Sequence, residues 1–325
     1  MYYVIVNPAS KSGRGRQIWI KLERIFEDNN IPYKVVFSKE AGHVERVVSK
    51  LTAPLAEDPD AAPIKLIILG GDGTMNEALQ GIHDFDRIWL GYIPTGSSND
   101  LARDLQLPKE PETILSSILE GKIVRTMDFG TLIYDNGPGE RSALSTEPVA
   151  DTRHFCVSSG IGFDAAVCEN ALSSSFKSTL NKFGLGKLIY LSIALKQLIN
   201  AQYNPCDIYL DNSTEPIHFD RFLFTSFMIH KYEGGGFKFC PTADATDGML
   251  DLCVIGNIPK WLIPFALPTA YYGKHYIFPQ LKHYRATKAR IITSSPLWVH
   301  TDGEVYAKAD SLTITCTSQK VNMMM

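Results

Sequence analysis

The feature that most restricts the fold of this chain is an alternation in its first 130 residues. Short apolar runs, YYVIV (2–6), KVVFS (34–38), KLIIL (65–69) and WLGYIP (89–94), are separated by stretches of helical spacing around 14–29, 43–53 and 74–82. Repeated strand-helix units of this kind build a parallel sheet with helices on its faces, so the segment is expected to form a Rossmann-like, doubly wound α/β domain. Sheets of that type take ligands beyond the carboxyl ends of their strands. KLIIL delivers the chain to such an end, Gly70-Gly71-Asp72-Gly73 turns it, and apolar spacing resumes at Met75, Ala78, Leu79 and Ile82. Glycines allow φ values that other residues resist and leave N–H groups open to approach, and the following helix adds its positive end, which suits a phosphate. A plain tight strand-to-helix turn is the competing reading.

Beyond residue 130 the pattern changes. TLIY, HFCVSSG, CDIYLD, RFLFTSFMI, MLDLCVI, RIITSS, LWVHTDG and SLTITCT are strand-like and separated by turn residues. They predict a mostly antiparallel β-sandwich with one helical insert at about 164–200, and loops at 54–63 and 136–152. The expected division is an α/β domain over 1–130 and a β-rich domain over 131–325, the C-terminal segment being a candidate to return to the first. With 325 residues, 45% hydrophobic and 21% charged, the chain has material for both cores.

A formal net charge of −3, with no run of five or six like charges, argues against a nucleic-acid partner. The start, MYYVIVNPASKSGRGR, places its basic residues after a short apolar run, the wrong order for a signal peptide, so a cytoplasmic location is expected. Cys156, Cys168, Cys206, Cys240, Cys253 and Cys316 form no CxxC pair and lie far from zinc-like histidine spacing, and read as reduced core residues. FGLGKLIYLSIALKQLI (183–199) and WLIPFALPTAYYG (261–273) are too short to cross a bilayer. Both read first as core and second as a surface that touches lipid.

The common nucleotide loops are missing. Gly184-Leu185-Gly186-Lys187 continues with Leu188 and so fails GxxxxGK[ST], no GxGxxG follows a strand, and neither protein-kinase signatures nor GxSxG occur. TDGEVY sets Asp302 and Glu304 on either side of a glycine, either as two carboxylates for one cleft or as an ordinary Asp-Gly hairpin turn. In PTADATDGMLDL, Asp244 and Asp247 lie too close together for an EF-hand loop, and a plain turn competes with a metal site.

Taken in order, GGDGT with Asn76 and Glu77, IPTGSSNDLARDL (93–105), MDFG (127–130), GIGFDA (160–165), PTADATDGMLDL (241–252) and TDGE (301–304) resemble the diacylglycerol kinase catalytic family, in its soluble bacterial lipid kinase branch, related to sphingosine kinases. NPASKSGRG (7–15) is similar to the family's NPxSG loop with an extra lysine. GGDGT alone is shared with NAD kinases and phosphofructokinases, while PTGSSND and the late DGE separate those families from this chain.

The resemblance implies an ATP-dependent phosphotransferase whose nucleotide lies between an α/β and a β-rich domain. Asn7, Pro8, Ala9, Ser10 and Lys11, together with Gly70, Gly71, Asp72, Gly73, Thr74 and Asn76, would line the nucleotide; Ser38 would stand where such kinases often carry threonine, and Ser97 and Asn99 would lie near the phosphates. Asp72 and Asp128 are candidates to hold Mg²⁺ through water, Asp100 a lesser one, and each competes with a helix-cap or turn role. Glu304 is assigned as general base for the acceptor hydroxyl and Asp302 as its partner, an order the sequence does not decide. Asp244, Asp247 and the Met249 carbonyl would ring a structural Mg²⁺. His43, at an AGHA-like helix start, is expected to cap.

The expected activity is therefore phosphorylation of diacylglycerol or a similar lipid alcohol to a phosphatidic-acid-like product, by a protein peripheral at the membrane. Other lipids (a sphingoid base, phosphatidylglycerol, undecaprenol), an NAD-kinase-like reaction and a non-catalytic nucleotide- or lipid-binding regulator stay open at this point, as does a homodimer.

Overall fold

The computed structural model describes residues 1–58, 60–121, 124–143, 149–173 and 196–325. It divides into one unit of Met1–Phe129 with Ser318–Met325 and a second of Gly130–Thr317.

The first unit contains β1 (Tyr2–Val6), α1 (Ser10–Gly13), α2 (Gly15–Asp28), β2 (Tyr33–Phe37), α3 (His43–Glu57), β3 (Ile64–Gly70), α4 (Asp72–Gln80), β4 (Ile88–Pro94), α5 (Asp100–Asp104), α6 (Pro111–Glu120) and β5 (Val124–Met127). Its six-stranded sheet has the order β2-β1-β3-β4-β15-β5, where β15 is Val321–Met324. All neighbours are parallel except β5, which runs antiparallel to β15. The core forms where Trp19, Leu22 and Phe26, spaced three and four apart on α2, meet Val4, Val6, Ile67 and Leu69 of the sheet and Ile114, Leu115 and Ile118 of α6. The apolar runs became strands and the periodic segments helices, as expected. The expected loop from 54 is shorter, because α3 continues through Pro54 to Glu57, and the Pro54 carbonyl takes the Asp58 N–H at 2.9 Å.

The second unit contains β6 (Gly130–Tyr134), β7 (Thr152–Phe155), β8 (Ser158–Gly162), α7 (Phe163–Ser173), β9 (Asn204–Leu210), β10 (Ile217–Met228), β11 (Leu250–Gly256), α8 (Ile263–Tyr271), β12 (Leu281–Ala286), β13 (Lys288–Thr301) and β14 (Glu304–Cys316). Strands run β12-β11-β10-β8-β13-β14-β6-β7, and β9 pairs with both β10 and β13. Every pairing in this sheet is antiparallel. RIITSS and LWVHTDG, expected as two strands, are one long β13 with a register shift between Ile292 and Leu297. HFCVSSG, expected as one strand, is split into β7 and β8 at Cys156-Val157. Of the expected helical insert at 164–200, residues 174–195 lie outside the described residues; they include Gly184 to Leu188 and most of the 183–199 apolar segment.

All six cysteines are free thiols, as expected. Among the described residues, no helix is long and apolar enough to cross a membrane. The segment 261–273 reads first as core in the sequence, but in the structure Trp261, Phe265 and Tyr272 are 69%, 66% and 71% exposed. Prolines 264 and 268 shape a short helix with Ile263, Ala266 and Ala270 inward, and its larger side chains are left outward.

Candidate functional site

In the first unit three loops at the carboxyl ends of β1, β3 and β4 are tied into one surface. Asn7 N–H bonds the Leu69 carbonyl at 2.9 Å, Asn7 Nδ2 donates to Thr74 Oγ1 at 3.0 Å, and the Ala9 N–H donates to Asn7 Oδ1 at 3.1 Å. Ser10 Oγ and Thr95 Oγ1 share a hydrogen bond of 2.7 Å, and Thr95 N–H donates to the Gly70 carbonyl at 2.7 Å. Ser38 N–H reaches the Val6 carbonyl at 2.8 Å and brings the end of β2 alongside. Asn99, at φ +51°, closes its own turn by accepting the Gly96 N–H at 2.8 Å and donating back to the Gly96 carbonyl at 2.9 Å. Ser97, Ala9 and Lys11 are exposed on this rim, and Pro8 is half-buried.

The glycines of GGDG have a different reason from the expected one. None of Gly70, Gly71 and Gly73 adopts positive φ; Gly71 has φ −94° and ψ −176°, and α4 already begins at Asp72. Gly70 and Gly71 are needed for close approach, the first to the Thr74 side chain. A Cβ on Gly71 would lie 3.0 Å from Gly96 Cα, and one on Gly96 would lie 2.6 Å from Gly71 Cα, so two turns touch main chain to main chain. The first turn of α4 carries N–H groups with no carbonyl of their own helix to reach, the kind of position that suits an anion. Along α1 and α2, Lys11, Arg14, Gln17, Ile18 and Lys21 line a cavity of about 360 Å³ carrying three cationic side chains.

The acidic candidates separate. Asp72 accepts from Tyr92 Oη and from the Asp100 N–H, each at 3.2 Å, and so joins α4 to α5. Asp128 is fully buried and ion-paired with Lys320, just ahead of β15. Lys320 thus supplies positive charge at the carboxylate that the sequence offers for Mg²⁺ beside Asp72. Asn76 is fully buried with its main-chain carbonyl 3.0 Å from Gln80 Nε2. His43 is the first residue of α3 and does not cap it: its Nδ1 accepts the N–H of Lys39, ahead of the helix, at 3.2 Å, and the helix N–H of Val44 is accepted by Glu77 Oε2 at 3.2 Å.

In the second unit, the DGE turn joins β13 to β14. Asp302 at φ +50° and Gly303 at φ +82° make it a tight hairpin. The Asp302 carboxylate accepts the N–H groups of Cys156, Val157 and Ser158 at 2.9, 2.7 and 3.1 Å, and its own N–H bonds the Ser158 carbonyl at 2.8 Å. Asp302 is therefore the anchor of the turn, its lone pairs directed at peptide donors. Next to this turn lies a group that sequence reasoning did not assign. His300, fully buried, has Nε2 3.0 Å from Glu233 Oε1 and 3.3 Å from Asp164 Oδ2. Asp164 also accepts from Ser226 Oγ at 3.1 Å. Burial alone would lower the proton affinity of the ring, but the hydrogen bonds and charges of Asp164 and Glu233 outweigh it and hold the pKa well above the usual 6.5. A signal was present: GIGFDA carries Asp164, EGGG carries Glu233, and His300 stands two residues before the DGE turn.

At the third expected site the aspartates bond within their own loop and to Arg285. Asp244 Oδ1 accepts the Thr246 N–H and hydroxyl at 3.1 and 2.7 Å, and Asp247 Oδ1 accepts the Met249 N–H at 3.0 Å. Asp247 Oδ2 is ion-paired with Arg285, whose Nε lies 3.4 Å from the buried Asp251. Arg285 thus supplies positive charge at Asp247, one of the residues expected to ring a Mg²⁺.

Residues 1–132 match the model of the diacylglycerol kinase catalytic domain, and residues 156–325 that of the YegS C-terminal NAD kinase beta sandwich-like domain. A diacylglycerol kinase of Mycobacterium tuberculosis is 29% identical over 255 residues, covering 78% of this chain and 73% of that protein. A diacylglycerol kinase of Staphylococcus saprophyticus is 23% identical over 306 residues, covering 94% and 89%. In fold, the chain superposes on the crystal structure of a diacylglycerol kinase from Bacillus anthracis with a TM-score of 0.70 at 21% identity, covering 99% of this chain and 96% of that one.

Proposed function

Because the chain belongs to the diacylglycerol kinase catalytic family of lipid kinases and is a phosphotransferase, we propose that it transfers the γ-phosphoryl group of ATP, taken as its Mg²⁺ complex, to the hydroxyl of diacylglycerol or a similar lipid alcohol. The observation that carries the donor side is the contact of Gly71 with Gly96, which leaves bare main chain at the ends of β3 and β4 beside a helix N-terminus. In this reading Asn7 to Lys11, Ser38, Gly70 to Thr74, Ser97 and Asn99 line the nucleotide, and Lys11 meets phosphate charge. Asn76, being buried, supports α4 from within. Asp72 is the carboxylate that would hold the Mg²⁺ of the nucleotide, through water.

Glu304 takes the proton of the lipid hydroxyl as its oxygen attacks the γ-phosphorus, and ADP leaves. Phosphoryl transfer asks little more than positioning, charge and a base. The product is a phosphatidic-acid-like lipid. An acceptor of that kind brings the protein to a membrane surface, and the exposed aromatic side chains of 261–273 are its contact in this reading.

The test is transfer from γ-labelled ATP to a panel of lipid alcohols in mixed micelles, with diacylglycerol beside a sphingoid base, phosphatidylglycerol and undecaprenol. Glu304→Gln is expected to lower transfer to diacylglycerol by about a hundredfold or more, with ATP binding retained. Label moving into a different lipid would replace the acceptor, and full turnover in the variant would remove Glu304 as base.

A further inference from the structure

The Glu304 turn is held by main-chain bonds on one side and by a single buried ring on the other. Gly303 N–H donates to His300 Nδ1 at 3.2 Å. The other ring nitrogen faces Glu233 Oε1 and Asp164 Oδ2, which only accept. A neutral ring satisfies both sides in one way: the proton sits on Nε2 toward the carboxylates, and the Nδ1 lone pair receives the Gly303 amide. The room for this comes from Gly160 of β8, which pairs with His300; a Cβ there would lie 2.2 Å from Asp164 Oδ2 and 2.5 Å from His300 Nε2.

A metal ion among Asp164, Glu233 and His300, the group of ligand-type side chains brought within reach of one ion among the described residues, is the rival reading. It would bind the Nε2 lone pair of a neutral ring and move the proton to Nδ1, against the Gly303 N–H. The peptide donor therefore selects a proton over a metal at this ring.

We propose that His300 is the positioning residue of the catalytic turn: oriented by Asp164 and Glu233, it fixes through Nδ1 the Asp302–Gly303 peptide, one residue ahead of Glu304. A ring that takes a second proton must take it at Nδ1, where it confronts the Gly303 N–H and unseats the turn. The ionisable groups that face this ring are Asp164 and Cys168 from α7 and Glu233 from the loop after β10, and Glu304 from β14 acts on Cys168. The carboxylates favour the charged ring, so the seated turn belongs to the alkaline side of its titration.

The inference rests on Glu304 being the base, and two substitutions separate it from that reading. Asparagine at 300 sets an amide near the Nδ1 position and can still accept from Gly303, whereas glutamine sets one near Nε2 and cannot. His300→Gln is expected to lower kcat about tenfold or more with the KM for ATP unchanged, because a displaced base costs turnover rather than nucleotide binding. His300→Asn is expected to recover most of that loss and to move the acid limb of the kcat profile to lower pH, since one titrating group is gone. Equal losses in both variants, or an acid limb that stays in place in His300→Asn, would overturn the proposal. If both variants fail to fold in a thermal melt, ¹⁵N-histidine spectra of the wild-type protein decide it: at alkaline pH a buried ring with its proton on Nε2 is expected, and one with its proton on Nδ1 refutes it. Full turnover in Glu304→Gln would instead sink the base assignment and leave the ring geometry standing.

Discussion

Single residues in this chain are set by what approaches them. Gly96 shows this most directly, because the atoms its Cβ would meet are Gly71 Cα at 2.6 Å and Asn99 Oδ1 at 2.8 Å, and the first of these is main chain that cannot rotate away. Gly96→Ala is expected to lower stability by about 1–3 kcal/mol, as overpacking does, and to weaken ATP binding at the same time. Thermal melts with and without ATP check it, and an unshifted melt with normal ATP stabilisation would show that the two turns are not in contact. The same reasoning applies to Asp302, whose carboxylate is committed to three peptide N–H groups.

At the scale of elements, two segments take roles that their composition leaves open. Helix α8 and its flanks expose Trp261, Phe265, Tyr272 and Ile277, with Lys260 and Lys274 alongside, a combination suited to the headgroup layer of a bilayer. Replacing Trp261 and Phe265 together by alanine is expected to weaken vesicle binding by about tenfold or more, with ATP binding intact. Vesicle sedimentation that does not change would remove the segment from the membrane contact. Strand β12 supplies Arg285, which pairs across β11 with Asp251 and reaches Asp247. With that guanidinium in place, chelation by EDTA should leave the melting temperature of the nucleotide-free protein unchanged, whereas Arg285→Ala should lower stability by about 1 kcal/mol, the pairs being partly exposed. A melting temperature that drops on chelation would restore a metal to this loop.

For the molecule as a whole, acid stability is set by rings buried without charge. Burial lowers the pKa of His154 to about 4, helped by the charge of Arg153, and burial lowers that of His275 to about 4 against the pull of the Phe239 carbonyl. Between the ordinary value of 6.5 and about 4, the unfolded chain binds protons at these rings that the folded chain does not. Their contribution to stability is present above 6.5 and is lost as the pH falls through that window. The melting temperature is expected to fall from pH 7 to pH 4, and the fall should be smaller in His275→Gln. An equal slope in that variant would assign the acid sensitivity elsewhere.

The sequence by itself determined the element types and their order, because strand and helix periodicities in β1 to β4 and α2 to α4 are local properties of the chain. It also carried the glycine turns and the DGE hairpin, whose residue types are demanded by nearby main chain. Tertiary structure alone decided the rest. The strand β15, four residues at the end of the chain, has a place beside β4 only because the parallel sheet leaves that edge open. Lys320 reaches Asp128 across 192 positions, Arg285 reaches Asp247 across 38, and His300 meets Asp164 across 136. A charge or a ring nitrogen has no fixed meaning until its partner is placed, and such partners are set by how strands pair across the sheets, which no spacing along the chain encodes.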